Sequence, residues 1–182
     1  MAGRGQAGFR ERVAEHRRLG LDSSVFIYEF EQYPRYFALT DFLLHELLDR
    51  RVFAVTSVVT LMEVTVLPLR QHRPALARAY EVALVNFPNL SVAPVTRAIA
   101  RVAAELRADY RLSGPDALQA ATIIQHGATA FVTNDLQLRR LTPLLDLPAK
   151  LGLHLFALGR EELVQRRLRV CLRQPRLAGE LG

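Results

Sequence analysis

Short apolar runs at residues 19–22, 52–55, 90–93 and 130–133 alternate with longer stretches whose apolar residues recur at helical spacing. Strands that alternate with helices in this way argue for an α/β sandwich built on a mostly parallel sheet. Residues 37–51 carry Leu39, Phe42, Leu43, Leu47 and Leu48 at the spacing of an amphipathic helix, and residues 58–69 carry Val59, Met62, Val66 and Leu67. A helix over 74–87 has Leu76, Ala79, Tyr80, Ala83 and Leu84 on one side. Thr96 is the expected cap of a long helix whose core face holds Ile99, Val102, Ala103, Leu106 and Tyr110. Pro115 suits the first turn of another helix, which His126 and Gly127 end. A last run over 151–158 reads as an edge strand because Lys150 and His154 lie in it.

Half of the 182 residues are hydrophobic, enough for one domain with a substantial core. The net charge of +6 comes from the ends. Residues 1–18 hold five Arg against two Glu and residues 160–182 hold six Arg against three Glu, while residues 19–159 balance at thirteen of each sign. The expected organisation is a basic N-terminal extension over 1–18, a folded body over 19–158 and a basic C-terminal tail over 159–182. The extension offers a short polar helix without a wide apolar face, so neither end is expected to contribute to the core. No apolar run reaches membrane-spanning length, the N-terminus lacks the apolar centre of a secretory signal, and the single cysteine, Cys171, has no partner. These features point to a cytoplasmic protein.

Acids stand at the junctions of these elements. Asp22 ends the first strand, with Ser23 and Ser24 as candidate caps of the helix that follows, and at the carboxyl edge of an open parallel sheet such a residue faces the usual ligand crevice. Glu63 lies four residues from both Val59 and Leu67, on the expected apolar side of its helix. Asp116 follows Pro115 in a first helical turn, and Asp135 follows the 130–133 strand. Each has a plainer reading: Asp116 as a charge favoured by the helix dipole, Glu63 as a stripe-edge carboxylate reaching water. Taken together, four carboxylates at one end of a sheet repel one another unless cations neutralise them. Oxygen ligands suit Mg²⁺ or Mn²⁺ rather than zinc, and a metal-activated water fits phosphodiester hydrolysis without a side-chain nucleophile. The five histidines lie at no motif spacing. Ser24 stands where a haloacid-type phosphatase carries a second Asp, and no glycine-rich phosphate loop follows Leu21.

Residues 21–27 (LDSSVFI), 56–64 (TSVVTLMEV), 114–122 (GPDALQAAT) and 132–135 (VTND) stand in the order of the PIN-domain nucleases, and the chain resembles that family, more narrowly its VapC-type toxins. The resemblance implies a PIN-like three-layer α/β/α sandwich. It also implies a Mg²⁺- or Mn²⁺-dependent endoribonuclease with Asp22, Glu63, Asp116 and Asp135 as metal-binding acids and Ser23, Thr133 and Asn134 in support. An RNA substrate, a homodimer and a cognate antitoxin are further implications. Leu138 departs from the family pattern, standing where a phenylalanine often follows the last motif. Two alternatives share this fold: a non-catalytic module that binds RNA or protein, and a housekeeping ribonuclease without an antitoxin.

Overall fold

The computed structural model describes residues 2–135, 137, 138, 141 and 154–157. Among these residues, seven α-helices and five strands follow in the order α1 (Ala2–Ala14), β1 (Arg18–Leu21), α2 (Ser23–Phe30), α3 (Phe37–Leu48), β2 (Phe53–Ser57), α4 (Val59–Arg70), α5 (Pro74–Val85), β3 (Leu90–Ala93), α6 (Arg97–Tyr110), α7 (Gly114–Gln125), β4 (Ala130–Thr133) and β5 (His154–Ala157). Every strand pairing is parallel and the sheet order is β3-β2-β1-β4-β5. The 151–158 run thus supplies an edge strand, as expected; the C-terminal tail over 159–182 lies outside the described residues.

Side chains alternate across the sheet, so its two faces line two cores. Leu19, Leu21, Ala54, Ala130 and Val132 join α2 and α3 on one face, while Val55, Ala93 and Phe131 join α6 and α7 on the other. The result is three layers, α/β/α. Gly20 sits where α7 presses closest on β1. A Cβ there would collide with the Ile123 side chain, whose Cγ1 would be 2.8 Å away, so the strand carries hydrogen in place of a side chain. Leu138 is fully buried in the second core and fills its place without an aromatic ring.

Two expectations are corrected. The N-terminal residues do contribute to the core: Phe9, 3 % exposed, and Val13 pack into the first cluster, with the Phe9 ring edge-on to Phe42 at 6.4 Å. Two apolar residues four apart suffice to dock a helix that is otherwise polar. On α4 the apolar stripe is not the buried face. Val59, Thr60, Val64 and Pro68 are buried, whereas Met62 (52 % exposed), Val66, Leu67 and Leu69 face outward. The helix turns Thr60 inward because hydrogen bonds satisfy its hydroxyl, as described next.

Candidate active site

Strand order reverses between β1 and β4, since the chain leaves β1 toward β2 on one side and β4 toward β5 on the other. A crevice opens at the carboxyl ends of two such strands. Asp22 follows β1 immediately, and Thr133 is the last residue of β4.

Asp22 caps α2 itself: its backbone is extended (φ −76°, ψ 158°), and its Oδ1 accepts from the backbone N–H of Ser23 at 2.9 Å. Ser23 and Ser24, expected as caps, are instead the first residues of the helix. Ser23 is buried, and its Oγ reaches Asp22 Oδ1 only at 3.5 Å. Ser24 Oγ donates to Oδ2 at 2.8 Å, and Thr133 Oγ1 donates to the same oxygen at 2.7 Å. Burial nevertheless holds the Asp22 carboxyl above its ordinary pKa, and the nearby Glu63 charge adds to the rise; the bonds from Thr133, Ser24 and Ser23 oppose it.

Glu63, half-buried on α4, is joined to Asp22 by a residue that sequence reasoning missed. Gln119, 1 % exposed, donates its Nε2 to Asp22 Oδ1 at 3.3 Å and to Glu63 Oε2 at 3.1 Å. Its Oε1 accepts from Thr60 Oγ1 at 3.3 Å. Thr60 Oγ1 in turn lies 2.7 Å from Thr56 Oγ1, which donates to the Leu21 carbonyl at 2.8 Å. One buried polar chain therefore links β1, β2, α4 and α7. Its only sequence signal is an amide within the apolar stretch 117–124, three residues after Asp116 and so on the same helical face.

Asp116 and Asp135 are attached to this centre less directly. Ser113 caps α7, accepting from the Asp116 N–H at 3.3 Å while its Oγ donates to Asp116 Oδ2 at 2.6 Å. The Asp135 N–H donates to Thr133 Oγ1 at 3.0 Å, but its own Oδ1 accepts from the Gln137 N–H at 2.7 Å. Asn134 donates its N–H to Ser24 Oγ at 3.4 Å and its side-chain amide to the Tyr28 hydroxyl at 2.6 Å. The structure thus joins Asp22 to Glu63 through Gln119, and holds Asp116 and Asp135 by local bonds of their own. Among the described residues, no three Asp, Glu, His or Cys side chains converge closely enough to form a metal-ligand group. A surface groove of about 510 Å³ between α6 and α7 is lined mainly by alanines and by no acid.

A parallel sheet with hydrogen-bonded carboxylates at its switch point defines a class of α/β scaffold, and comparison with known proteins gives the family. The PIN domain family model matches residues 20–142, and the chain belongs to that family of nucleases. Among solved structures, it is similar to VapBC2 from Rickettsia felis bound to a DNA fragment from their promoter. That match has a TM-score of 0.55 and 16 % identity, over 78 % of this chain and 99 % of the other. It is also similar to a toxin–antitoxin complex from Klebsiella pneumoniae, with a TM-score of 0.50 and 20 % identity over 75 % and 94 % of the two chains. At these identities the likeness is one of fold. No curated protein matches.

Proposed function

We propose that this PIN-domain protein is a divalent-metal-dependent endoribonuclease and the toxin of a VapBC-type toxin–antitoxin pair. The observation that carries the reading is the buried Asp22 carboxylate bridged to Glu63 by Gln119 at the switch point of the sheet. Two carboxylates beside one another in a buried site are destabilising unless a cation shares them. Mg²⁺ or Mn²⁺ needs only one or two protein carboxylates, with water filling the rest of its sphere, so Asp22 and Glu63 fit the cation by donor type and number. Asp116, one turn before Gln119, and Asp135, two residues beyond Thr133, are the further acids assigned to it. When bound, such a cation offsets charge on the attacked phosphate and lowers the pKa of a bound water.

The protein's own groups hold that site ready. Ser24 and Thr133 fix one oxygen of Asp22, and Ser23 N–H and Gln119 fix the other, so the carboxylate keeps its orientation without a substrate. Ser23, Thr133 and Asn134 are the supporting residues of this reading. The outward stripe of Met62, Val66 and Leu69 on α4 has the character of a surface that a protein covers; it supports an antitoxin or a second copy of the chain as partner. The likeness to toxin–antitoxin folds supports the same assignment.

Cleavage of a mixed RNA pool by the purified chain in Mn²⁺, with chelator and Asp22→Asn controls, tests the reading. Metal-dependent cutting that the variant lacks is expected. A folded, antitoxin-free chain that cuts no RNA would overturn the enzyme assignment and leave a binding module.

A further inference from the structure

Beside the carboxylates lies a group of aromatic rings that the chemistry above does not use. Tyr28, half-buried on α2, receives the Asn134 amide on its hydroxyl, and Asn134 is bonded in turn to Ser24, a donor to Asp22. The Tyr28 ring lies 4.7 Å from that of Tyr36 and 5.2 Å from that of Tyr33; the Tyr33 and Tyr36 rings are stacked at 5.8 Å with a 20° interplanar angle. Tyr36 is buried and forms the floor. Tyr33 is 45 % exposed and forms the outer surface. Arg35, also exposed, carries its guanidinium 5.3 Å from the Tyr36 ring centre.

The backbone holds Tyr33 in place. Gln32 is left-handed at φ 49°, a conformation that costs a non-glycine residue about 1 kcal/mol or more. Pro34 restricts the residue before it. Tyr33 N–H donates to the Tyr28 carbonyl at 2.8 Å, and its own carbonyl accepts from Tyr36 at 3.0 Å and Phe37 at 2.9 Å. An exposed aromatic ring fixed in this way, over other rings and beside a cation, has the composition of a stacking platform for nucleobases, which lie next to the phosphates of an unpaired strand.

We propose that Tyr33, backed by Tyr28 and Tyr36 and flanked by Arg35, is a stacking subsite for one unpaired base of single-stranded RNA. The inference rests on the ribonuclease reading: the base belongs to the strand whose scissile phosphate meets Asp22 and Glu63. Stacking is tolerant of base identity, so the subsite selects unpaired over paired RNA rather than a sequence.

The test uses the full chain carrying Asp22→Asn, so that RNA is bound and not cut. The probe is a single-stranded RNA of about ten nucleotides containing 2-aminopurine. Fluorescence quenching on binding is expected, with Tyr33→Phe retaining it. Tyr33→Ala should abolish the quenching and weaken binding about tenfold. Tyr33→Leu, which keeps apolar bulk against Tyr28 and Tyr36, should behave like the alanine variant and covers the case in which alanine unfolds the turn. Unchanged quenching and affinity in a folded Tyr33→Ala or Tyr33→Leu chain would overturn the subsite and leave the exposed ring to a protein partner. The two readings fail separately. RNA cutting by the chain with native Asp22, together with no effect of Tyr33, refutes the subsite alone; Tyr33-dependent quenching without any cutting refutes the nuclease alone.

Discussion

Gln119 and Glu63 stand 56 residues apart in sequence and meet at 3.1 Å, the side-chain amide donating to the carboxylate oxygen. Because the same amide also reaches Asp22, it lies between two acids as a neutral substitute for a cation.

Replacing Gln119 by Leu removes that donor and leaves the buried Asp22 facing Glu63 without it. The chelated chain is expected to lose about 1–3 kcal/mol, and Mn²⁺ should raise the variant's Tm by more than it raises that of the unaltered chain. Thermal unfolding with and without metal reads both effects. Identical melting of the two chelated proteins would show that the bridge contributes nothing.

The Asp22 carboxyl gives a pH dependence whose sign follows from its raised pKa. Between its ordinary value of 3.8 and the higher folded value, the native chain keeps a proton that the unfolded chain has lost. Stability from this group is therefore fully present below 3.8 and declines as pH rises through the folded pKa. Asp22→Asn cannot titrate, so in chelator its stability relative to the unaltered chain should grow across that window and then level off. Urea midpoints over a pH series measure the difference, and a gap constant with pH would contradict the assignment. Protons and cations compete for the same oxygens, so Mn²⁺ affinity should weaken as pH falls toward the window.

Asp116→Asn keeps the Ser113 cap, which uses the backbone N–H of residue 116. The variant is expected to remain folded, with Tm within a few degrees, while Mn²⁺ affinity falls at least about tenfold. Titration calorimetry checks this, and unaltered Mn²⁺ binding would remove Asp116 from the metal set.

Phe9→Ala empties a buried ring site at the contact between α1 and α3. A loss of about 3 kcal/mol is expected by chemical denaturation. A loss near zero would return α1 to the status of an extension.

Much of the fold was legible because its signals are local. The short apolar run at Leu19, Gly20 and Leu21, the Pro115 helix start and the apolar run 130–133 depend on residues a few positions apart, and each became the expected element. Three assignments required the chain to be folded. Gln119 lies within an apolar segment and shows its use only when α4 and β1 come beside it. On α4 the sequence stripe pointed to Met62 and Val66 as buried, yet the helix buries Thr60, whose hydroxyl finds its partners on β2 and α7. Phe9 and Val13 are too few to mark an amphipathic face, and only the surface they meet makes them core.

The sequence alone determined the order of strands and helices, the family motifs and which carboxylates stand at strand ends and helix starts, since periodicity and turn chemistry act within a few residues. Tertiary structure decided which of those carboxylates share a donor, which face of α4 is buried and that α1 joins the core. Those outcomes depend on hydrogen bonds such as Thr133 to Asp22, across 111 residues, and on desolvation, which exists only once the sheet and its helices have closed over the site.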